Sequence, residues 1–226
     1  MSNCQSCPVR GRAICASLDG DELAAFSRMA RHQRVPAGHT LIWEGEDVPL
    51  IANVIGGVLK LVVAAADGRE QIVGLVFPSD FIGRPFGKES PYRVTALTDA
   101  EVCIYNRNSF DAFAAAHPHL QHKLLRRTLD ELDRARYWML LLGRKSASQK
   151  VASFLLEMSD RLARLDRKEA GFELPFGRQQ IADILGLTIE TTSRQLTRLR
   201  ADGIVDLPSR RAVVIHDRDA MERMAG

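Results

Sequence analysis

Two helices and a tight turn are predicted by the stretch Arg178-Gln-Gln-Ile-Ala-Asp-Ile-Leu-Gly-Leu-Thr-Ile-Glu-Thr-Thr-Ser-Arg-Gln-Leu-Thr-Arg-Leu-Arg200. Gly186 falls where the turn needs a backbone conformation that side chains disfavour. Thr188 is placed to cap the second helix, and Glu190 lies in its first turn. This stretch therefore predicts a helix-turn-helix.

A hairpin with a basic tip follows it. The strand-like runs Ile204-Val-Asp-Leu207 and Ala212-Val-Val-Ile215 flank the segment Pro208-Ser-Arg-Arg211. Short apolar runs separated by a few turn-forming residues are typical of a β-hairpin. A helix-turn-helix with such a hairpin is a winged helix.

The second helix presents side chains that suit the major groove of DNA. Glu190, Ser193 and Arg194 share one face, because offsets of three and four lie together on a helix. Arg donates to guanine and Glu accepts from cytosine, and each good pairing discriminates by about 1–3 kcal/mol. The alternative is that these are ordinary charged residues on a solvent-exposed helix face. The combination of the helix-turn-helix, the basic hairpin and these three side chains disfavours that alternative. The candidates for phosphate contact are Arg198, Arg200, Arg210 and Arg211.

Upstream, a long helix is predicted from His119 to about Gly143. Apolar residues recur near spacings of three and four, with a second apolar face beside them. One interpretation is a core helix of a larger domain; the favoured one is a parallel dimer seam. The residues predicted to form the seam are Leu125, Leu129, Leu132 and Met139.

From about Gln33 to Asn106 the chain consists of short β-rich pieces separated by Gly, Pro and Asp turns. This texture predicts a compact β-roll. The fold class is α+β, with a jelly-roll-like N-terminal roll, a long dimerisation helix and a C-terminal winged helix-turn-helix. The predicted segments are a cysteine-rich segment 1–20, a roll 21–116, a dimerisation helix 117–145 and a DNA-binding domain 146–226.

All four cysteines suit one metal site. They are arranged as Cys4-x-x-Cys7-x7-Cys15 with a remote Cys103. Four thiolates match a cubane iron–sulfur cluster or a structural zinc, and inert or redox-active thiols remain a further interpretation. A haem with His32, His39 or Cys103 as an axial ligand is a minority alternative.

Composition narrows the class of protein. The 226 residues are 46% hydrophobic and 26% charged, which indicates globular domains. No membrane span or signal pattern is found, so we expect a cytoplasmic protein, in which disulfides are disfavoured. The net charge of +3 is too small to argue for a polyanion partner by itself. No catalytic triad, phosphate loop or acid–base pair is found, so an enzyme is not expected.

The chain resembles the Crp/Fnr superfamily of bacterial transcription factors, and within it the Fnr-type oxygen sensors of the FnrL/FnrN branch. The similarity covers nearly the whole sequence. The stretches that carry it are Cys4-x-x-Cys7-Pro8 through Cys15, Ser79-Asp-Phe-Ile-Gly83, Leu129-Asp-Glu-Leu132, Trp138-Met-Leu-Leu-Leu-Gly-Arg-Lys145 and Gly186-Leu-Thr-Ile-Glu-Thr-Thr-Ser-Arg194.

The resemblance implies a 4Fe–4S cluster that holds an active homodimer until oxygen degrades the cluster. It implies binding to a two-fold TTGAT…ATCAA promoter site, contact with RNA polymerase, and regulation of anaerobic or microaerobic genes. The family's half-site readers map onto Glu190, Ser193 and Arg194. Relatives that bind cyclic AMP carry a Glu and an Arg-Ser pair in the roll, where this chain has Arg84 and Ser90-Pro91. Cyclic-nucleotide binding is therefore not expected.

Overall fold

The computed structural model describes residues 4–64, 68, 70–162 and 171–226. Residues 1–3, 65–67, 69 and 163–170 lie outside that description. The chain divides into two compact units, Met1–Glu131 and Leu132–Gly226.

The first unit begins with two short 3₁₀ helices, Cys4–Ser6 and Ile14–Ser17, and the helix α1, Gly20–Arg28. Eight strands and the helix α2, Arg107–Ala116, follow. The strands are β1 Arg31–Val35, β2 Thr40–Ile42, β3 Leu50–Gly56, β4 Leu59–Ala64, β5 Glu70–Val76, β6 Phe81–Ile82, β7 Arg93–Ala96 and β8 Ala100–Asn106.

The strands form two antiparallel four-stranded sheets, in the orders β1-β8-β3-β6 and β2-β7-β4-β5. Side chains alternate between the two faces of a strand. On β8, Val102 and Ile104 therefore join the apolar core of the roll, whereas Cys103 and Tyr105 face a second core. The predicted β-roll is confirmed, and β3 and β8 of its first sheet are buried on both faces.

The second core lies between that sheet and the helical parts of the first unit. Phe26 of α1 and Phe110 of α2 are fully buried in it, together with Leu120 and Leu124 of the next helix, α3. Val9, Ile14 and Cys15 of the N-terminal segment belong to the same core. This core holds the cysteine segment against β8.

The helix α3, Pro118–Arg144, is 27 residues long. It begins with proline at its first position, where the missing N–H costs nothing. Its bounds agree with the helix predicted from His119 to about Gly143. The helix passes through the boundary between the two units.

The second unit contains α4, Ala147–Leu162, whose inner face, formed by Val151, Phe154, Leu155 and Met158, is fully buried. Its other elements are β9 Phe172–Glu173, α5 Arg178–Leu185, α6 Ile189–Ala201, β10 Val205–Asp206, β11 Ala212–Ile215 and α7 Arg218–Ala225. The strands form one sheet in the order β10-β11-β9. The winged helix is confirmed. The helix α7 was not predicted; Asp217 caps it, and Met221 is fully buried in it.

Among the described residues, no helix has both the length and the apolar character needed to cross a bilayer. The segments 1–20, 21–116, 117–145 and 146–226 remain predictions as functional divisions.

Candidate cluster site and nucleic-acid interface

The segment from Cys4 to Leu18 is ordered by its own main chain and by one arginine. The amides of Arg12 and Ala13 both donate to the carbonyl of Val9, at 2.9 and 2.8 Å. The Arg10 guanidinium donates to the carbonyls of Cys15, at 2.8 Å, and of Leu18, at 2.5 Å. Hydrogen bonds within the protein therefore order the loop between Cys7 and Cys15 without a ligand.

The four cysteines are free thiols in one part of the first unit. Cys15 and Cys103 are each only 6% exposed and belong to the same core, against which Cys7 packs. Cys4 is half-buried. The structure thus brings the N-terminal triplet to the strand that carries the fourth cysteine, as the sequence predicts.

The electrostatics of the thiols reflect this grouping. Burial raises the pKa of Cys103 to about 12, the Tyr105 hydrogen bond opposes the rise, and Cys4, Cys15 and Cys7 add to it. Burial likewise raises the pKa of Cys15 to about 11, and the Arg10 charge opposes it. Negative charges on these sulfurs repel one another, so four thiolates here need a cation to compensate their charge.

The donor set fits an iron–sulfur cluster in chemistry. Cubane clusters are held by four cysteine thiolates, and an apolar surround restricts water. As the side chains stand, however, no group of three or more His, Cys, Asp or Glu among the described residues is arranged to hold a metal ion.

Of the two histidines considered for haem, His32 lies opposite Cys103 in the pairing of β1 with β8. His32 is exposed, and its Nδ1 lies 3.2 Å from Glu101 Oε1. His39 is also exposed.

The sequence did not predict the two polar side chains that lie beside Cys103. The Cys103 thiol donates to the Tyr105 hydroxyl, with Sγ and the oxygen 3.3 Å apart. Asn53 lies directly opposite Cys103 in the pairing of β3 with β8 and is 1% exposed. One signal was available, because Asn53 is a polar residue inside the apolar run Leu50–Gly56.

The long helix contacts the cysteine segment through its first half. Leu120 and Leu124 pack in the same core as Cys15 and Cys103. Further along, the Arg127 guanidinium donates to the carbonyl of Arg12 and lies 3.9 Å from an Asp80 oxygen. The segment that carries three cysteines is therefore tied directly to α3.

The predicted seam residues form an exposed apolar row along α3. Leu125 is 56% exposed, Leu129 50%, Leu132 44% and Met139 74%. Apolar side chains at helical spacing with this much exposure are unusual in a helix that packs on its own domain alone. The row is available to a second copy of the chain.

In the second unit, local signals build the helix-turn-helix as predicted. Gly186 has φ of 60° and caps α5, its N–H donating to the Ala182 carbonyl. The Thr188 side chain accepts from the Thr191 amide at 3.2 Å and caps α6. Leu196 and Leu199 are buried on the inner face of α6.

The predicted base-reading residues lie on the outer side of α6. Glu190 and Arg194 are exposed, and Ser193 is half-buried. One nitrogen of the Arg194 guanidinium lies 3.5 Å from Thr191 Oγ1. The other N–H groups of the guanidinium take no part in that contact. The helix therefore presents one acceptor and one donor fork to a partner.

The predicted phosphate contacts surround this face. Arg198 and Arg200 are exposed in the last turns of α6, and Arg198 lies 3.8 Å from Asp202. Arg210 and Arg211 are exposed in the β10–β11 loop, whose backbone is held by Ser209 Oγ accepting from the amides of Arg211 and Ala212. A positively charged hairpin next to a helix with free donors suits duplex DNA.

Comparison with known protein families gives two matches that cover most of the chain. The Crp-like helix-turn-helix domain matches residues 149–224, and the cyclic nucleotide-binding domain matches residues 32–117. The second match identifies the roll and does not by itself show that a cyclic nucleotide binds.

Individual relatives agree. The chain is 43% identical to the transcriptional activator protein FnrL of Cereibacter sphaeroides, over 96% of this chain and 89% of that protein. It is 27% identical to the fumarate and nitrate reduction regulatory protein of Escherichia coli, over 99% and 90%. Among solved structures, FixK2 from Bradyrhizobium japonicum has a TM-score of 0.81 at 32% identity, covering 87% of this chain and 98% of that one.

Proposed function

The chain belongs to the Crp/Fnr family of transcription factors, which bind DNA as dimers, and from this premise we propose that it is an oxygen-responsive transcriptional activator of the cytoplasm. Cys4, Cys7, Cys15 and Cys103 hold a 4Fe–4S cluster in this proposal. The cluster stabilises a homodimer that binds a TTGAT…ATCAA-like palindrome and contacts RNA polymerase at promoters of anaerobic or microaerobic genes.

The observation that carries the proposal is the shared core of the cysteines and α3. Cys15, Cys103, Leu120 and Leu124 pack in one cluster of buried residues, and Arg127 bonds the cysteine segment. When bound, a cubane cluster would join the N-terminal thiolates to Cys103 through iron–thiolate bonds, which would be lost when oxygen degrades the cluster. Forming or losing those bonds therefore changes the surface on which the first half of α3 rests.

Dimerisation follows by linkage. Cluster binding contributes free energy only to the conformation in which the N-terminal triplet and Cys103 are close together. If that conformation also presents Leu125, Leu129, Leu132 and Met139 in register for a second copy, the dimer gains the differential binding energy. Loss of the cluster removes that bias.

DNA binding follows from the dimer. Two recognition helices in a two-fold arrangement contact half-sites one DNA turn apart, about 34–36 Å, which matches a palindrome. Glu190, Ser193 and Arg194 read bases in this proposal, while Arg198, Arg200, Arg210 and Arg211 contact phosphates. A monomer keeps about half of these contacts and binds weakly.

The test is anaerobic purification of the full chain, with analysis of iron, sulfide, zinc and haem, absorption spectra, and sizing before and after exposure to air. We expect four irons and four sulfides per chain, a dimer that dissociates in air, and operator binding that is lost with it. Stoichiometric zinc, haem absorption, or full operator affinity in the metal-free protein overturns the proposal.

A further inference from the structure

Two polar side chains enter the otherwise apolar core at Cys103. The first is Tyr105, which is 1% exposed and shares a strand face with Cys103 because the two are two residues apart on β8. Its ring is stacked on Phe26, with centroids 4.3 Å apart, and meets Phe110 at 5.9 Å. The aromatic packing thus fixes the hydroxyl beside the Cys103 sulfur, at 3.3 Å.

The second is Asn53 of β3. It is the pairing partner of Cys103, and its neighbours Ile51 and Ile55 face the same core as Cys103. Side chains directly opposite each other in an antiparallel pair have Cβ atoms about 4.5–5.5 Å apart. Asn53 Oδ1 is buried and has no hydrogen-bond partner among the residues that the structure describes. Burying an amide group in this way costs about 1–3 kcal/mol, so its presence needs a reason.

A thiolate or a cluster sulfide next to both groups is a partner for donors and cannot bond Asn53 Oδ1 itself. If the amide turns by 180°, however, it presents its N–H donors in place of that oxygen. In the structure the Cys103 thiol donates to Tyr105. Once the sulfur is an anionic ligand it can only accept, so the phenol O–H reverses direction and donates. The Asn53 amide also carries two N–H donors. Hydrogen bonds to the sulfurs are one of the features by which a protein sets the stability and reduction potential of an iron–sulfur cluster.

We propose that Tyr105 and Asn53 are positioning residues that donate hydrogen bonds to sulfur at the Cys103 corner of the cluster and slow its loss to oxygen. The inference rests on the proposed function, because it needs a cluster at Cys103. It assigns to the roll itself, rather than to the N-terminal loop, a part in setting the oxygen sensitivity.

The experiment compares Tyr105→Phe and Asn53→Leu with the unmodified full chain after anaerobic purification. Tyr105→Phe removes one oxygen and keeps the ring against Phe26; Tyr92→Phe, at a 39% exposed tyrosine, is the matched control. We expect each core variant to lose its cluster in air about 10-fold faster, with a lower reduction potential, and Tyr92→Phe to match the unmodified protein.

Asn53→Leu distinguishes a positioning role from a structural one. Leucine of similar size removes a buried, unpaired oxygen, so the metal-free variant is expected to be as stable as the unmodified protein or more stable. A variant that is stabilised without metal yet loses its cluster faster matches a positioning role. Lower stability of the metal-free variant together with an unchanged cluster lifetime contradicts it.

A measurement on the metal-free protein tests the Tyr105 contact directly. The infrared S–H stretch of Cys103, assigned by its absence in Cys103→Ser, is expected to shift to higher frequency in Tyr105→Phe. An unmodified chain that holds no iron and sulfide overturns the proposed function and this inference with it. A cluster whose lifetime and potential are unchanged in both core variants overturns the inference alone.

Discussion

The cysteine core of the first unit and the helix-turn-helix of the second differ in how they are assembled and in whether they bury the side chains that bind. The helix-turn-helix is built from consecutive residues between Arg178 and Ala201, capped by Gly186 and Thr188, and it exposes the side chains that bind. The cysteine core draws on the N-terminal segment, β3, β8 and α3, and it buries the side chains that bind. We expect a site made of consecutive residues to keep its geometry when distant segments move. We expect a site made of distant segments to change the packing of those segments when its ligand binds or is lost.

The largest expected effect comes from breaking the non-local site. Cys103→Ser removes the ligand that joins β8 to the N-terminal triplet, and we expect near-complete loss of iron, dimer and operator affinity. The matched control is Ile104→Val, because Ile104 is 3% exposed on the opposite face of β8. Iron analysis and sizing under anaerobic conditions check this, and a Cys103→Ser protein with full iron content contradicts it.

The second effect concerns the pH dependence of the metal-free protein. The pKa of Cys15 is about 11 and that of Cys103 about 12 in the folded chain, against the ordinary value of 9.0. Below pH 9 both states hold these protons; above it the unfolded chain releases them first, so stability falls until the folded pKa values are passed. The slope is at most about 1.4 kcal/mol per pH unit for each thiol.

Urea unfolding at pH 8 to 10 measures this slope. The double variant Cys15→Ala, Cys103→Val is the control and should show a shallower dependence. Burial also raises the pKa of Tyr105, so a residual fall is expected above about pH 10 in both proteins. Identical slopes in the two proteins below pH 10 contradict the prediction.

The third effect lies in the local site and should leave the fold and the cluster untouched. Arg194→Ala is expected to cost about 1–3 kcal/mol per half-site and to relax the preference at one base pair. Arg211→Ala, on the hairpin, should weaken binding equally for all sequences. Binding to a set of single-base operator variants separates the two, and an unchanged base preference in Arg194→Ala would argue against its reading role.

The fourth effect tests the turn between α5 and α6. Gly186 has φ of 60°, a left-handed conformation that costs a residue with a side chain about 1–2 kcal/mol. Gly186→Ala should lower the thermal stability of the DNA-binding region. Gly143→Ala is the control, since Gly143 lies inside α3 with no positive φ and no atom within 4 Å of an added Cβ. That change should be neutral or stabilising, by up to about 1 kcal/mol.

The smallest expected effect tests the tie between the two parts of the first unit. Arg127→Gln removes the bond from α3 to the Arg12 carbonyl and should reduce stability by about 1 kcal/mol. It should also narrow the difference in dimerisation between cluster-loaded and metal-free protein. Arg126→Gln, at the exposed neighbouring position, is the control. Analytical ultracentrifugation of the cluster-loaded and the metal-free protein measures the dimerisation of each variant. Equal dimerisation constants in Arg127→Gln and Arg126→Gln would show that Arg127 does not couple the cluster to the dimer.

The two regions also differ in how far they could be predicted. The caps of α5 and α6 and the bounds of α3 follow from hydrogen bonds and spacings within a few residues, so the sequence predicted them correctly. The helix α7 was missed because its short apolar face, with Met221 inside, becomes apparent only against α4. Tyr105 and Asn53 were missed because their relation to Cys103 depends on strand pairing and on which face of β8 is buried.

The sequence by itself determined the family-level architecture, the winged helix with its exposed arginines, and the number of thiols, because these depend on local periodicity and on composition. Only the tertiary structure decided which side chains surround Cys103, and that the cysteine segment and α3 share one core. The physical reason is that antiparallel register and side-chain burial bring together residues such as Asn53, Cys103 and Leu124, which no local pattern relates. The chemistry proposed for the cysteines depends on those neighbours as much as on the cysteines themselves.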